Sequence, residues 1–170
     1  MSDFDTQCND YLRVPCDRLK TINIDMNTVE AFLTAIEEQE IVQAIQAAEQ
    51  NTSGEIRVHI EKTCEKPTLE RAKEVFFDLK MNQTKDRNGI LFYIATESHQ
   101  FAILGDEGIN NVVPANFWDE ESKIITSYFA INKNSQALVE GIFLVGEKLK
   151  HFFPYQSEDT NELTNEISKG

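Results

Sequence analysis

Asn88-Gly89-Ile90-Leu91-Phe92-Tyr93-Ile94-Ala95 holds six consecutive apolar residues behind an Asn-Gly pair. A continuous apolar run of this kind predicts a central strand covered on both faces. Thr96 to Gln100 then reads as a short hairpin connection, and Phe101-Ala102-Ile103-Leu104 returns beside the run. Upstream, Ile56, Val58 and Ile60 alternate with Glu55, Arg57, His59 and Glu61, which predicts a strand with one wet face. Between these strands Pro67-Thr68 opens a helix with the stripe Leu69, Ala72, Phe76 and Leu79. A helical crossover makes the first two strands parallel, and a hairpin makes the second and third antiparallel.

Helices complete the pattern on both sides. Thr34 followed three residues later by Glu37 is a capping box, so a helix is predicted over about 35–50, stopped at Asn51-Thr52-Ser53-Gly54. Near the other end, Asn116 is the expected N-cap of a helix with Asp119, Glu120 and Glu121 in its first turn. Its inward residues are expected to be Phe117, Trp118, Ile124, Ile125, Tyr128 and Phe129. A last helix from about Ser135 places Leu138, Ile142, Val145, Leu149 and Phe152 at 4-3-4-3 spacing, with Gly141 and Gly146 allowing a close neighbour. The aromatic spill Phe152-Phe153-Pro154-Tyr155 reads as core that could extend into a partner-docking edge. The fold class is α/β: a three-layer α/β/α sandwich with a small mixed sheet of three to four strands.

The chain has 170 residues, with 16 Lys+Arg against 29 Asp+Glu, a net charge of −13. A hydrophobic content of 41% with 26% charged residues is globular. The acidity argues against nucleic acid as a partner, because phosphate contacts need clustered Lys and Arg. It argues equally against adsorption on anionic membranes. No apolar stretch approaches the ~20 residues of a membrane span, so direct membrane insertion is not expected. Cys8, Cys16 and Cys64 form neither a disulfide framework nor a zinc ribbon, and Met1 to Asp10 has no secretory pattern, so a cytoplasmic location is expected. The organisation expected is a poorly ordered leader over 1–27, a domain over 28–154 with charge −8, and an acidic tail over 155–170.

Topology gathers three polar loops at one end of the sheet: Thr52 to Glu55, Asp86 to Gly89, and Gly105 to Gly108. Asp86, Asn88, Asp106 and Glu107 should meet there, and oxygen-rich loops of this kind suit a hard cation such as Ca²⁺ or Mg²⁺. Turn chemistry explains the same residues without any ligand, since Asp and Asn accept local backbone bonds. Both readings stand at this point. His59, His99 and His151 have no metal-ligand spacing and are expected at the surface. Cys64 lies near Glu61 and Glu65, an acidic setting that blunts a thiol. Ser53 lacks a nucleophile elbow.

The order Thr52-Ser53-Gly54-Glu55-Ile56, Asn88-Gly89-Ile90-Leu91-Phe92-Tyr93-Ile94-Ala95 and Phe101-Ala102-Ile103-Leu104-Gly105-Asp106-Glu107-Gly108-Ile109 resembles the TPM domain. That family is named for thylakoid-lumen, photosystem-repair and receptor-modulator proteins. The resemblance covers about 28–154 and implies an α/β/α sandwich. It also implies a site at the loop before the Asn-Gly strand, here Asp86, Arg87, Asn88 and Gly89. Some members are described as acid phosphatases, some bind calcium, and others act by protein association. Many carry a Gly-Asp-Tyr turn between the closing helices; this chain has Ile131-Asn132-Lys133-Asn134-Ser135-Gln136 instead. The expected function is a protein-interaction or accessory module with a divalent-cation site, whose partner is another protein, membrane-associated proteins included. The alternative is a metal-assisted phosphomonoester hydrolase. In it Asp86 and Asp106 would hold the cation, Asn88 would orient substrate, and Lys85 or Arg87 would neutralise phosphate.

Overall fold

Ile90, Phe92 and Ile94 face one side of the central strand and Leu91, Tyr93 and Ala95 the other, and each set enters a separate apolar cluster. That division fixes three layers. The computed structural model describes residues 32–158 and 160–170 of the chain. The expected leader, 1–27, lies outside them.

The elements are α1 (Ala35–Glu49), β1 (Glu55–Glu61), α2 (Thr68–Asp78), a 3₁₀ turn (Met81–Gln83), β2 (Gly89–Ala95), β3 (Gln100–Gly105), α3 (Glu107–Asn110), α4 (Asp119–Phe129), α5 (Asn134–Phe152) and β4 (Ser168–Lys169). The sheet order is β3-β2-β1-β4. β1 and β2 are parallel, with Glu55 opposite Gly89, and β2 and β3 are antiparallel, with Leu91 opposite Leu104. On one face α1, α4 and α5 supply Ile45, Ile125, Leu138, Ile142 and Leu149 to the larger cluster. On the other, α2 supplies Ala72, Val75 and Phe76. The capping box is present: Thr34 Oγ1 accepts from the Glu37 N–H, and a Glu37 oxygen accepts from the Thr34 N–H.

Gly141 and Gly146 do allow close approach. A Cβ on Gly146 would lie 2.8 Å from Ala48 Cβ, and one on Gly141 would lie 2.5 Å from Ile125 Cδ1. Gly146→Ala would gain about 0.5–1 kcal/mol of helix propensity but overpack α5 against α1, at about 1–3 kcal/mol. The expected net loss is about 1 kcal/mol, read as a fall in Tm of roughly 2–4 °C. Adding Ala48→Gly should cost less than the sum of the two single changes. Additive losses would show that the helices do not touch there.

Four expectations need correction. β1 has no wet face: Glu55, Arg57, His59 and Glu61 are buried along with Ile56, Val58 and Ile60. The alternation is real, but α2 and residues 160–170 cover its polar side. His59 is therefore interior, whereas His99 and His151 are not buried. Asn116 does not cap α4. It lies in a turn after Pro114, where Phe117 N–H bonds to Pro114 O and Asp119 N–H to Asn116 O, and the helix starts at Asp119. That turn brings Phe117 and Trp118 into the core. Ile124 is 39% exposed, while Glu121 takes an inward place and pairs with Lys148 Nζ at 2.7 Å. Within the acidic tail, β4 pairs with β1 in parallel.

Candidate functional site at the loop end of the sheet

The three polar loops do converge. Asp106 N–H bonds to Gly89 O at 2.9 Å, Gly108 N–H to Arg87 O at 2.9 Å, and Glu55 N–H to Asn88 O at 3.3 Å. Gly-Asp-Glu-Gly is more than a turn, because Asp106 caps α3 by accepting from the Glu107 N–H at 2.7 Å.

Arg87 closes the site. Its guanidinium forks onto Asp106, Nε to Oδ2 at 2.8 Å and Nη2 to Oδ1 at 2.9 Å, and lies 3.8 Å from Glu107 Oε2. The geometry is the bidentate one that arginine offers a carboxylate. Arg87 reaches it from a left-handed backbone, φ 50°. Its guanidinium pKa is raised above the ordinary value by the bonds to Asp106. Asp106 is buried, whereas Asp86 and Glu107 are exposed.

Asn88 is buried. Its Nδ2 donates to Ser53 O at 2.9 Å, and its Oδ1 has no hydrogen-bond partner. Hence the loops that carry Asp86, Asn88, Asp106 and Glu107 meet through their backbones, the Asn88 amide turns to Ser53, and Arg87 takes Asp106 in a role the sequence did not suggest. Among the described residues no group of three or more His, Cys, Asp or Glu side chains is placed to hold a metal ion. Of the four predicted donors, Asn88 Oδ1 is buried without a partner, and the carboxylates of Asp86 and Glu107 are exposed. Asp106 fits poorly, because any ion it held would lie beside a guanidinium.

A second polar constellation escaped the sequence reading. Glu61 accepts from Arg71 Nη2 at 2.8 Å and Nε at 3.0 Å, and from the Tyr93 hydroxyl. His59 stacks on Tyr93 at 6.0 Å, and its Nε2 lies 3.7 Å from Glu61 Oε2. Burial pushes the Glu61 carboxyl up, but bonds from Arg71 and Tyr93 more than offset this and leave it below its ordinary value. Burial also raises the Tyr93 hydroxyl. Burial lowers the His59 imidazole below 6.5, against the pull of Glu61. A charged residue two positions from another on a strand next to a fully apolar strand was the available signal.

Because the native state holds His59 neutral, its contribution is complete above the ordinary value and lost as pH falls below it. Tm should drop as pH falls below 6.5, and His59→Gln should flatten that part of the profile. An unchanged slope would assign the acid sensitivity elsewhere. Glu61 adds a loss at lower pH, below its ordinary value of 4.5.

A cleft of about 260 Å³ adjoins the loop end, lined by Gln46, Glu49, Thr52, Glu55, Tyr155 and Asn165 among others. No helix among the described residues is long and apolar enough to cross a membrane.

The TPM domain profile matches residues 26–148. No curated protein shows significant similarity to the chain. Among solved structures, the NMR structure of the BA42 protein from the psychrophilic bacterium Bizionia argentinensis is 51% identical. The match covers 82% of this chain and 96% of that one, with a TM-score of 0.78. Matched in sequence over most of its length and in fold by a half-identical structure, this chain belongs to the TPM domain family.

Proposed function

We propose that this TPM domain is a protein-binding accessory module rather than a hydrolase. The observation that carries the reading is the Arg87–Asp106 fork. Metal-assisted hydrolysis needs carboxylates open to the ion, and phosphate capture needs an uncommitted cation. The fork takes Asp106 and Arg87 out of those roles and leaves, of the charged groups expected to act at this end, only the exposed, solvated Lys85, Asp86 and Glu107. Affinity capture from native cells should return the same partner repeatedly, and purified protein should not turn over an aryl phosphate with Mg²⁺ or Ca²⁺. Turnover abolished by Asp86→Ala or Asp106→Asn would overturn the reading.

One observation favours an additional divalent-cation site at this end: the buried, unpartnered Oδ1 of Asn88. A Ca²⁺ or Mg²⁺ ion there would draw on Asn88, Asp86 and Glu107, with Asp106 anchoring Arg87 behind them. Oxygen sites of this modest charge bind at about 10⁻⁴–10⁻³ M. Calorimetry should then give heat with Ca²⁺ that Asp86→Ala weakens. A flat titration to millimolar metal removes the ion from the proposal and leaves the binding module intact.

A further inference from the structure

Residues 55–61 are buried throughout, yet no described residue of 160–170 that covers them is buried. A well-covered strand thus lies beneath a lightly held strap. Strand pairing contributes only His59 with Ser168 and Ile60 with Lys169, extended by the Gly170 N–H to Ile60 O at 3.1 Å. Apolar anchoring is limited to Leu163 on one cluster and Ile167 on the other, both partly exposed.

The rest of the seating is polar and runs in register. Glu55 accepts the backbone N–H groups of Glu162 at 2.8 Å and Leu163 at 3.2 Å, a contact any extended chain can make. Asn165 Nδ2 donates to Glu49. Arg57 Nη2 reaches Glu166 O at 3.5 Å and feels the Glu166 carboxylate. His59 Nδ1 meets Ser168 Oγ at 3.1 Å, and Lys169 Nζ meets Glu38 at 2.6 Å.

The fit is also incomplete. Arg57 Nε and His59 Nε2, both buried, have no hydrogen-bond partner. The 260 Å³ cleft is bounded on the strap side by Asn161 and Asn165.

We infer that the outer edge of β1 is a docking groove for an extended peptide of another protein, occupied in cis by residues 160–170. The inference rests on the binding-module reading. The ligand adds to β1 in parallel and carries amide, carboxylate, aliphatic, hydroxyl and cation at successive positions, as Asn165-Glu166-Ile167-Ser168-Lys169 does. Main-chain pairing with a sheet edge supplies affinity, and the side-chain register supplies choice. The tethered strap competes at a high effective concentration, so the groove opens only to a partner that matches the pattern.

The probe is a fluorescent peptide of residues 160–170, added to the full-length chain. A strap-loosened chain with Asn165→Ala and Ser168→Ala should bind it about tenfold or more tightly than wild type does. A peptide with Glu166→Lys and Lys169→Glu should bind neither. Equal binding by both chains, or equal binding of the charge-swapped peptide, overturns the groove. Should the loosened chain not fold, wild type nicked within the exposed stretch Gln156–Glu158 replaces it. Its strap should exchange for labelled peptide, and a strap that never exchanges overturns the proposal. If the peptide binds but native cells yield no partner, the groove stands and the accessory role falls. If a partner is captured but no peptide binds, the role stands and the groove falls.

Discussion

Glu61→Ala is expected to lower stability by about 2–3 kcal/mol, a fall in Tm of roughly 4–12 °C for a chain of this length. Glu61 is 6% exposed, at the end of β1, and satisfies Arg71 and the hydroxyl of Tyr93, which is fully buried. Truncation leaves the partly exposed Arg71 guanidinium with Glu74 Oε2 alone, at 3.1 Å, and the buried Tyr93 phenol without its carboxylate acceptor. A buried hydroxyl and half of an arginine fork then lose their partner, which costs more than the intact bonds contribute. Glu61→Gln keeps an acceptor for Tyr93 and should lose less. Pairing Glu61→Leu with Arg71→Met should recover much of the loss, because apolar groups of similar volume replace both charges. Thermal unfolding by circular dichroism reads all three. A Glu61→Ala loss below about 1 kcal/mol would place the cluster in solvent rather than in the interior.

Gly108→Ala should cost about 3 kcal/mol, near the upper end for an inserted methyl. A Cβ there would lie 2.2 Å from Asp86 O and 2.7 Å from Arg87 O. Both obstacles are main chain, and the Gly108 N–H to Arg87 O bond holds the loops together. Relief means parting the two loops, which pulls Arg87 off Asp106. Gly105→Ala is the matched control. Its Cβ would rest 3.4 Å from Ile109 Cγ2, a side-chain atom that can yield, so the change should cost less than about 1 kcal/mol. Comparable losses at the two glycines would mean that the loops are not locked.

The apolar run Ile90–Ala95 and the crossover argument carried the directions of the first three strands and the meeting of three loops, but not β4 at the edge. Local pattern and connection rules suffice for those features. The burial of His59 was hidden because the alternation in β1 says which side is polar, not what lies on it. The covering contacts come from Arg71 on another layer and from Ser168, 109 residues along the chain. The Arg87 fork was illegible for a related reason. A cation beside acidic loops looks available for a ligand until a left-handed φ aims its fork at Asp106. Asn116 failed as a cap because burying Phe117 and Trp118 outweighed local capping preference.

The late arrival of β4 matters before the fold is complete. At about 5–20 residues per second, synthesis leaves the outer edge of β1 without its partner for roughly 5–20 s. An uncovered edge is an invitation to pair with other growing chains. Glu55, Arg57, His59 and Glu61 make that edge a poor template, since a flat neighbour would have to bury their charge. Ribosome-stalled chains ending before residue 160 should aggregate more when Glu55→Val and Arg57→Val are introduced together, and equal aggregation would remove this role. On this view the buried polar side of β1 guards the nascent chain first and seats the strap afterwards.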